Sequence, residues 1–478
     1  MDYALFIVTR HRQGLMQGLS VEDSIVQAVN TSGRAVFFAG IIVCIALLGM
    51  FAIGVNFLYG LAIAASIGVA FTMIAALTFL PALLGFVGPR ILSRRQRKVL
   101  TASGPTGEVN SAPGFWNRWS DFVSKRPALP AVLALIAIGL IATPYLSMRL
   151  GHADQGNDSV GSSTRTAYDL TAKGFGPGFN GPLQIVAVVP SKPNLVMEHL
   201  AQRVSTLSGV RFVQPPLYFP DIKDGGFVEL ISVVPDTSPQ DQATATLIHN
   251  IRTTVVPAVV GQTSFKILVG GSTAIYIDFA RVLGSKMPLF IALVVLLSFL
   301  LLAAVFRSLV VPLISAVLNV VSIGAAFGVL TAVFQFGWLG GLIGVSRAGP
   351  IDAFLPVMIF AILFGLSMDY QVFLLVRMHE EWLKSRDNRT AVRIGLARTG
   401  KTITAAAAIM IVVFGSFILG GDRIIKEFGL GLAGGVLVDA IIIRMAIVPA
   451  VMILLGKSNW WIPKWIDRHL PKFGLEHD

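Results

Sequence analysis

Two carboxylates, each followed by a phenol, are the residues of this 478-residue chain best suited to chemistry: Asp369-Tyr370 and Asp2-Tyr3. Asp369 lies in Gly365-Leu-Ser-Met-Asp369-Tyr370-Gln-Val-Phe373-Leu-Leu-Val-Arg377, inside an apolar stretch from about Ala353 to Val376. About twenty apolar residues span a bilayer core, which places Asp369 ~12 Å inside the Arg377 end at a rise of ~1.5 Å per residue. An ionised Asp at the bilayer centre costs roughly 2.5 to 3.5 kcal/mol on insertion scales. A carboxyl in low dielectric can load and release a proton near neutral pH, and a Tyr hydroxyl can hydrogen-bond its charged form, so the pair reads as a protonation switch. A satisfied packing feature is the plainer alternative.

The first ten residues repeat the same pattern. Met1-Asp2-Tyr3-Ala-Leu-Phe6-Ile-Val-Thr-Arg10 matches Met368-Asp369-Tyr370-Gln-Val-Phe373-Leu-Leu-Val-Arg377 at a constant offset of 367, and the match runs without a gap to Gly33-Arg34 against Gly400-Lys401. Two membrane halves of common origin are implied, with both Asp-Tyr pairs at their interface. Cross-pairing of Asp2 with Tyr370 and of Tyr3 with Asp369 would satisfy both. Phe6 and Phe373, one helical turn on, either shield the site from water or simply pack. Asp439 and Arg444 stand in the final apolar run at i, i+5, not quite one helical face. They pair with each other or with other helices, as a structural ion pair or as part of a proton path.

The elements that must position these residues are membrane helices. A chain 54% hydrophobic and 13% charged, with mean hydropathy +0.73, is too apolar for an ordinary soluble globule. Its net charge of +12 sits on short loops, +6 over 88–126 and +4 over 377–401, while the long polar block 149–286 carries only +1. That is the positive-inside pattern, which makes those loops cytoplasmic and excludes a nucleic-acid face.

Residues 1–87 read as the end of a first membrane half: a partial helix ending at Arg10-His11-Arg12, a surface helix Ser24–Asn30 started by a capping box at Ser20–Asp23, and two spans. A basic cytoplasmic linker follows at 88–127, then a span at 128–148. The block 149–286 alternates β-α-β-β-α-β, with strands at 183–189, 210–214, 227–234 and 265–269 and helices at about 195–207 and 240–255, which predicts one extracytoplasmic ferredoxin-like domain. A second-half bundle of five spans fills 287–455, and a cytoplasmic tail occupies 456–478. The expected fold class is thus a polytopic α-helical membrane protein with one α+β outer domain.

Gly395-Leu-Ala-Arg-Thr-Gly400-Lys401-Thr402 fits the phosphate-loop pattern, but a membrane span follows at once where a strand-loop-helix context is needed. Nucleotide binding is set aside. The single cysteine, Cys44, lies in an apolar run, and the seven His show no ligand spacing. No cofactor or metal is expected. Gly429, Gly431, Gly434 and Gly435 read as close helix packing.

Several motifs together resemble the MMPL transporters of the resistance-nodulation-division superfamily: Leu355-Pro356, the Gly365–Leu374 run, Gly421-Asp422-Arg423 with Lys426-Glu-Phe-Gly429, Asp439 to Arg444, and Asn459-Trp460-Trp461-Ile-Pro463. The resemblance implies a non-enzymatic exporter of lipids or other hydrophobic molecules across the inner membrane, driven by inward proton flow. Asp2, Tyr3, Asp369 and Tyr370 would be its proton relay, and Asp439 and Arg444 its coupling residues. Family members carry twelve spans and two outer porter domains, so the chain resembles the C-terminal two-thirds of one. The partners expected are a hydrophobic cargo, protons, membrane lipids, and the missing N-terminal half or a second copy of the chain. An accessory or nonfunctional membrane fragment is the competing reading.

Overall fold

A computed structural model of the chain describes residues 2–104, 114–189, 195–220, 227–261 and 266–469. Among them eight helices are long and apolar enough to cross a membrane: Val21–Ile53, Asn56–Ile91, Ala128–Ser147, Ser272–Phe306, Val310–Gln335, Leu355–Ser385, Asn388–Leu419 and Arg423–Trp460. The helix carrying Asp369, Leu355–Ser385, is central. Of its most apolar window 83% is buried, against 11% for Asn56–Ile91. It packs on Arg34–Leu48, Val310–Leu330, Asn388–Ser416 and Arg423–Leu437. The peripheral helices leave Phe71, Phe79 and Phe86 exposed, as side chains facing hydrocarbon should be.

The N-terminal helix, expected to stop at Arg10-His11-Arg12, continues to Met16. The His11 ring is buried and shares a 2.9 Å hydrogen bond with Ser24 Oγ, so the turn beyond the basic triplet is held instead of fraying. The surface helix begins at Val21, ahead of the expected Ser24, because Ser20 is its N-cap and accepts the Asp23 N–H at 3.0 Å. The span placed at 287–306 is the lower part of one 35-residue helix, Ser272–Phe306. Its polar first turns stay helical: Arg252 grips the Asp278 carboxylate at 2.6 and 2.7 Å.

The polar block holds strands β1 (Leu150–Gly151), β2 (Leu183–Val189), β3 (Val210–Val213), β4 (Leu217–Pro220), β5 (Phe227–Pro235) and β6 (Ile267–Gly270); β7 (Ile351–Asp352) lies farther along the chain. The larger sheet is antiparallel in the order β3-β5-β2-β6. The unexpected β4 pairs with the same edge of β5 as β3 does. The two are halves of one edge strand broken at Pro215-Pro216, residues that cannot donate to a ladder. Alternate residues Leu183, Ile185, Ile231 and Val233 bury one face against Met197, Leu200, Ile248 and Ile251. The second helix starts at Gln242 and runs on through a π turn to Val260. β1 and β7, also unforeseen, pair in parallel and join the exit of the Ala128 helix to the entry of the Asp369 helix.

Residues 395–402 lie wholly within the helix Asn388–Ser416. Their amides serve that helix and do not form a phosphate cradle.

Candidate functional site

Gly365, Asp369 and Phe373 fall at i, i+4, i+8 and so form one stripe of their helix. Gly365 is held against Val43, where a Cβ would come within 2.9 Å of a Val43 methyl. Phe373 stacks on Phe6 with ring centroids 4.1 Å apart and planes at 23°. Asp369, 5% exposed, therefore sits on the face that meets the first half of the chain. Phe6 and Phe373 are core residues of the main bundle as well as the cap on this stripe.

Tyr370, fully enclosed, belongs to the neighbouring face. With Ser367, Ser322 and Asp439 it lines a cavity of about 10 Å³, room for roughly one water. Tyr3 is buried in a separate cluster with Ile7, Val36 and Ala39. Asp2 begins the N-terminal helix, but its side chain lies outside the described residues, and so does the pairing expected between it and Tyr370.

Asp439 and Arg444 pair with each other and also reach other helices. Arg444 Nε donates to Asp439 Oδ2 at 3.2 Å, and Arg444 Nη2 donates to Asn319 Oδ1 at 2.9 Å and to the Ser367 carbonyl at 2.6 Å. Ser367 Oγ lies 2.6 Å from Asn319 Oδ1 and 2.8 Å from Asp439 Oδ1, with one proton to give. The i, i+5 spacing that looks off-face in an α-helix is corrected by local structure. Val438–Ile447 is π-helical, the Val448 N–H bonding to Ile443, so residues five apart come one turn apart.

A second buried cluster stands at the N-terminal end of the same helix. Arg423 donates to Glu427 Oε1 (2.8 Å), Asn157 Oδ1 (3.1 Å) and the carbonyls of Arg347 (2.7 Å), Phe334 (3.1 Å), Gly349 (3.2 Å) and Pro350 (3.3 Å). Glu427 Oε2 accepts the Asp352 N–H at 3.3 Å, and Asp352 holds His152 Nδ1 at 2.9 Å. His152, stacked on Tyr276 at 3.9 Å, opens onto a cavity of about 210 Å³ lined also by Arg149, Asp154, Gln240 and Thr273. Burial pushes the Asp154 carboxyl above its usual range, opposed by the hydrogen bond from Tyr168 at 2.8 Å.

Sequence reasoning did not single out Asn319, Ser367, Asn157, His152 or Asp352. Asn319 and Ser367 gave one signal, polar side chains within apolar runs. The other three lie in irregular segments where no periodicity fixes a face.

The MMPL family model matches residues 1–130 and 223–473. The chain belongs to the MMPL family. It is 38% identical over 476 residues to membrane protein YdfJ of Bacillus subtilis, which covers 100% of the chain and 64% of YdfJ. It is 33% identical over 483 residues to the mycolic acid-containing lipids exporter MmpL11 of Mycolicibacterium smegmatis, covering 100% of the chain and 50% of that protein. The chain thus spans about half to two-thirds of the length of these curated relatives. A solved heavy metal efflux pump shares the fold at a TM-score of 0.56 and 11% identity, over 95% of this chain and 62% of its own. As an MMPL protein with eight candidate spans, the chain is a multi-pass protein of the plasma membrane.

Proposed function

We propose that this MMPL chain is the C-terminal two-thirds of a proton-driven exporter of lipids or other hydrophobic molecules. The observation that supports the reading is a buried Asp369 on the helix stripe whose Gly365 meets Val43 and whose Phe373 meets Phe6, one residue from a Tyr370 that shares a water-sized cavity with Asp439. A buried ionised carboxylate bears a desolvation cost that a proton removes. Asp369 is the group that alternates. Tyr370 and Asp439, which line a cavity with room for roughly one water, link that event to the Arg444, Asn319 and Ser367 network, and so to three helices. Asp2 and Tyr3 complete the relay from the first half, with Phe6 and Phe373 excluding water.

The outer sheet, with its strand order and two helices on one face, supports a ferredoxin-like porter domain over 149–286 that receives cargo. The partition into a first-half end at 1–87, a linker at 88–127, a lone span at 128–148, a bundle at 287–455 and a tail at 456–478 follows from it. The lipid exporter MmpL11 supports a hydrophobic cargo.

The test reconstitutes the chain in vesicles with an imposed pH gradient and follows movement of a fluorescent amphiphile and of protons. Gradient-dependent export that Asp369→Asn abolishes, with insertion intact, is the expected result. Export unchanged in Asp369→Asn would overturn the relay, and no export by the parent chain would favour the accessory-fragment reading.

A further inference from the structure

The helix Phe115–Lys125 presents two adjoining faces. On the inner one, Trp116 covers Gly400, where a Cβ would come within 2.6 Å of the indole, and Val123 packs with Ala131 and Ala450; Asp121, half exposed at the edge of the outer face, pairs with Arg393 at 3.2 Å. On the outer one, Phe115, Arg118, Phe122 and Lys125 follow one another at i, i+3, i+7 and i+10, and all four are exposed. Rings interleaved with cations suit the boundary between acyl chains and phosphates. A helix long and apolar enough to cross a membrane starts at Ala128, three residues on, which puts this face next to the end of a candidate span.

The inner face also reaches one backbone atom. Trp119 Nε1–H donates to the Met445 carbonyl at 2.8 Å. In an α-helix that carbonyl accepts from the residue four further on, and here that residue is Pro449, which has no N–H. The π turns before it already send the Val448 N–H to Ile443. Trp119 thus donates to the carbonyl next to Arg444, the residue that binds Asp439, at a point where Pro449 removes the α-register donor.

We propose that the Phe115–Lys125 helix senses the cytoplasmic leaflet, with anionic phospholipid as its partner, and that Trp119 is a positioning residue that passes its state to the π turns holding Asp439 and Arg444. The consequence for transport rests on the function proposed above; the lipid response does not. The charges argue for the lipid. Arg118, Lys125 and Arg126 are exposed on or beside the outer face, while the one acid of this helix, Asp121, is occupied by Arg393.

The experiment measures amide hydrogen exchange over 438–447 with the full chain in phosphatidylcholine vesicles, with and without phosphatidylglycerol. In the parent chain, phosphatidylglycerol should slow exchange in this segment. Trp119→Phe keeps the ring and loses the donor; it should speed exchange on the order of fivefold, the effect of one hydrogen bond, and erase the difference between the lipids. Arg118→Gln with Lys125→Gln should leave exchange in phosphatidylcholine unchanged and lose only the response to phosphatidylglycerol. A parent chain indifferent to phosphatidylglycerol, or a Trp119→Phe chain that still responds, overturns the proposal. A chain that transports nothing but shows this exchange pattern would sink only the transport reading.

Discussion

Phe6 and Phe373, residues separated by the 367-residue repeat offset, stack face to face at 4.1 Å. The contact joins equivalent positions of the sequence repeat across two helices, Asp2–Met16 and Leu355–Ser385. Truncating either ring to Ala should cost about 3 to 5 kcal/mol as a core cavity. The double variant should be less harmful than the sum of the two by about 0.5 to 1.5 kcal/mol, the coupling of a stacked pair. Thermal midpoints of the four proteins in detergent close the cycle, and strict additivity would show that the rings merely touch.

Breaking the Asp439–Arg444 pair from one side leaves a buried charge. Asp439→Asn or Arg444→Leu alone should destabilise by about 3 to 5 kcal/mol, and the two together by less. Asn319→Ala should mimic part of the loss, because Arg444 then lacks one of its acceptors. Unfolding in increasing denaturing detergent ranks the four.

Arg423 ties the last helix to residues 334–350 and to Asn157 through donors spread over a planar fork. Lysine presents a point charge with three donors and cannot serve these acceptors together. Arg423→Lys should therefore raise hydrogen exchange over 337–350 nearly as much as Arg423→Ala, which a simple charge requirement would not produce.

Glu229 stands on the buried face of β5, where burial pushes its carboxyl up to about 7, with Tyr218 across the strand pair. The folded protein holds this proton more tightly than the unfolded chain. Stability is thus full at low pH and is lost as pH climbs from the ordinary carboxylate range through about 7. The loss is on the order of 2 kcal/mol. Glu229→Gln should flatten this part of the pH profile of exchange in β4 and β5, and an unchanged profile would remove Glu229 from the account.

Membrane crossing and the repeat were legible because they rest on long apolar runs and on identical residues at a fixed offset. β2 was legible residue for residue, since strict alternation fixes a buried face. Whether Asp439 and Arg444 pair with each other or across helices was not, because an i, i+5 spacing is off-face in an α-helix and the chain turns here as a π-helix that allows both. Nor was the Arg423 cluster. Its acceptors are mostly backbone carbonyls of a Gly-rich loop, and a carbonyl leaves no trace in the residue type.

The helix that descends from Ser272 to Phe306 without interruption is ~50 Å long at a rise of ~1.5 Å per residue. A rod of that length does not absorb a push at its head; it swings. Its one internal weak point is Pro288, which cannot complete the hydrogen-bond ladder. A load on the Ser272 end would be relieved most cheaply as a bend at that residue.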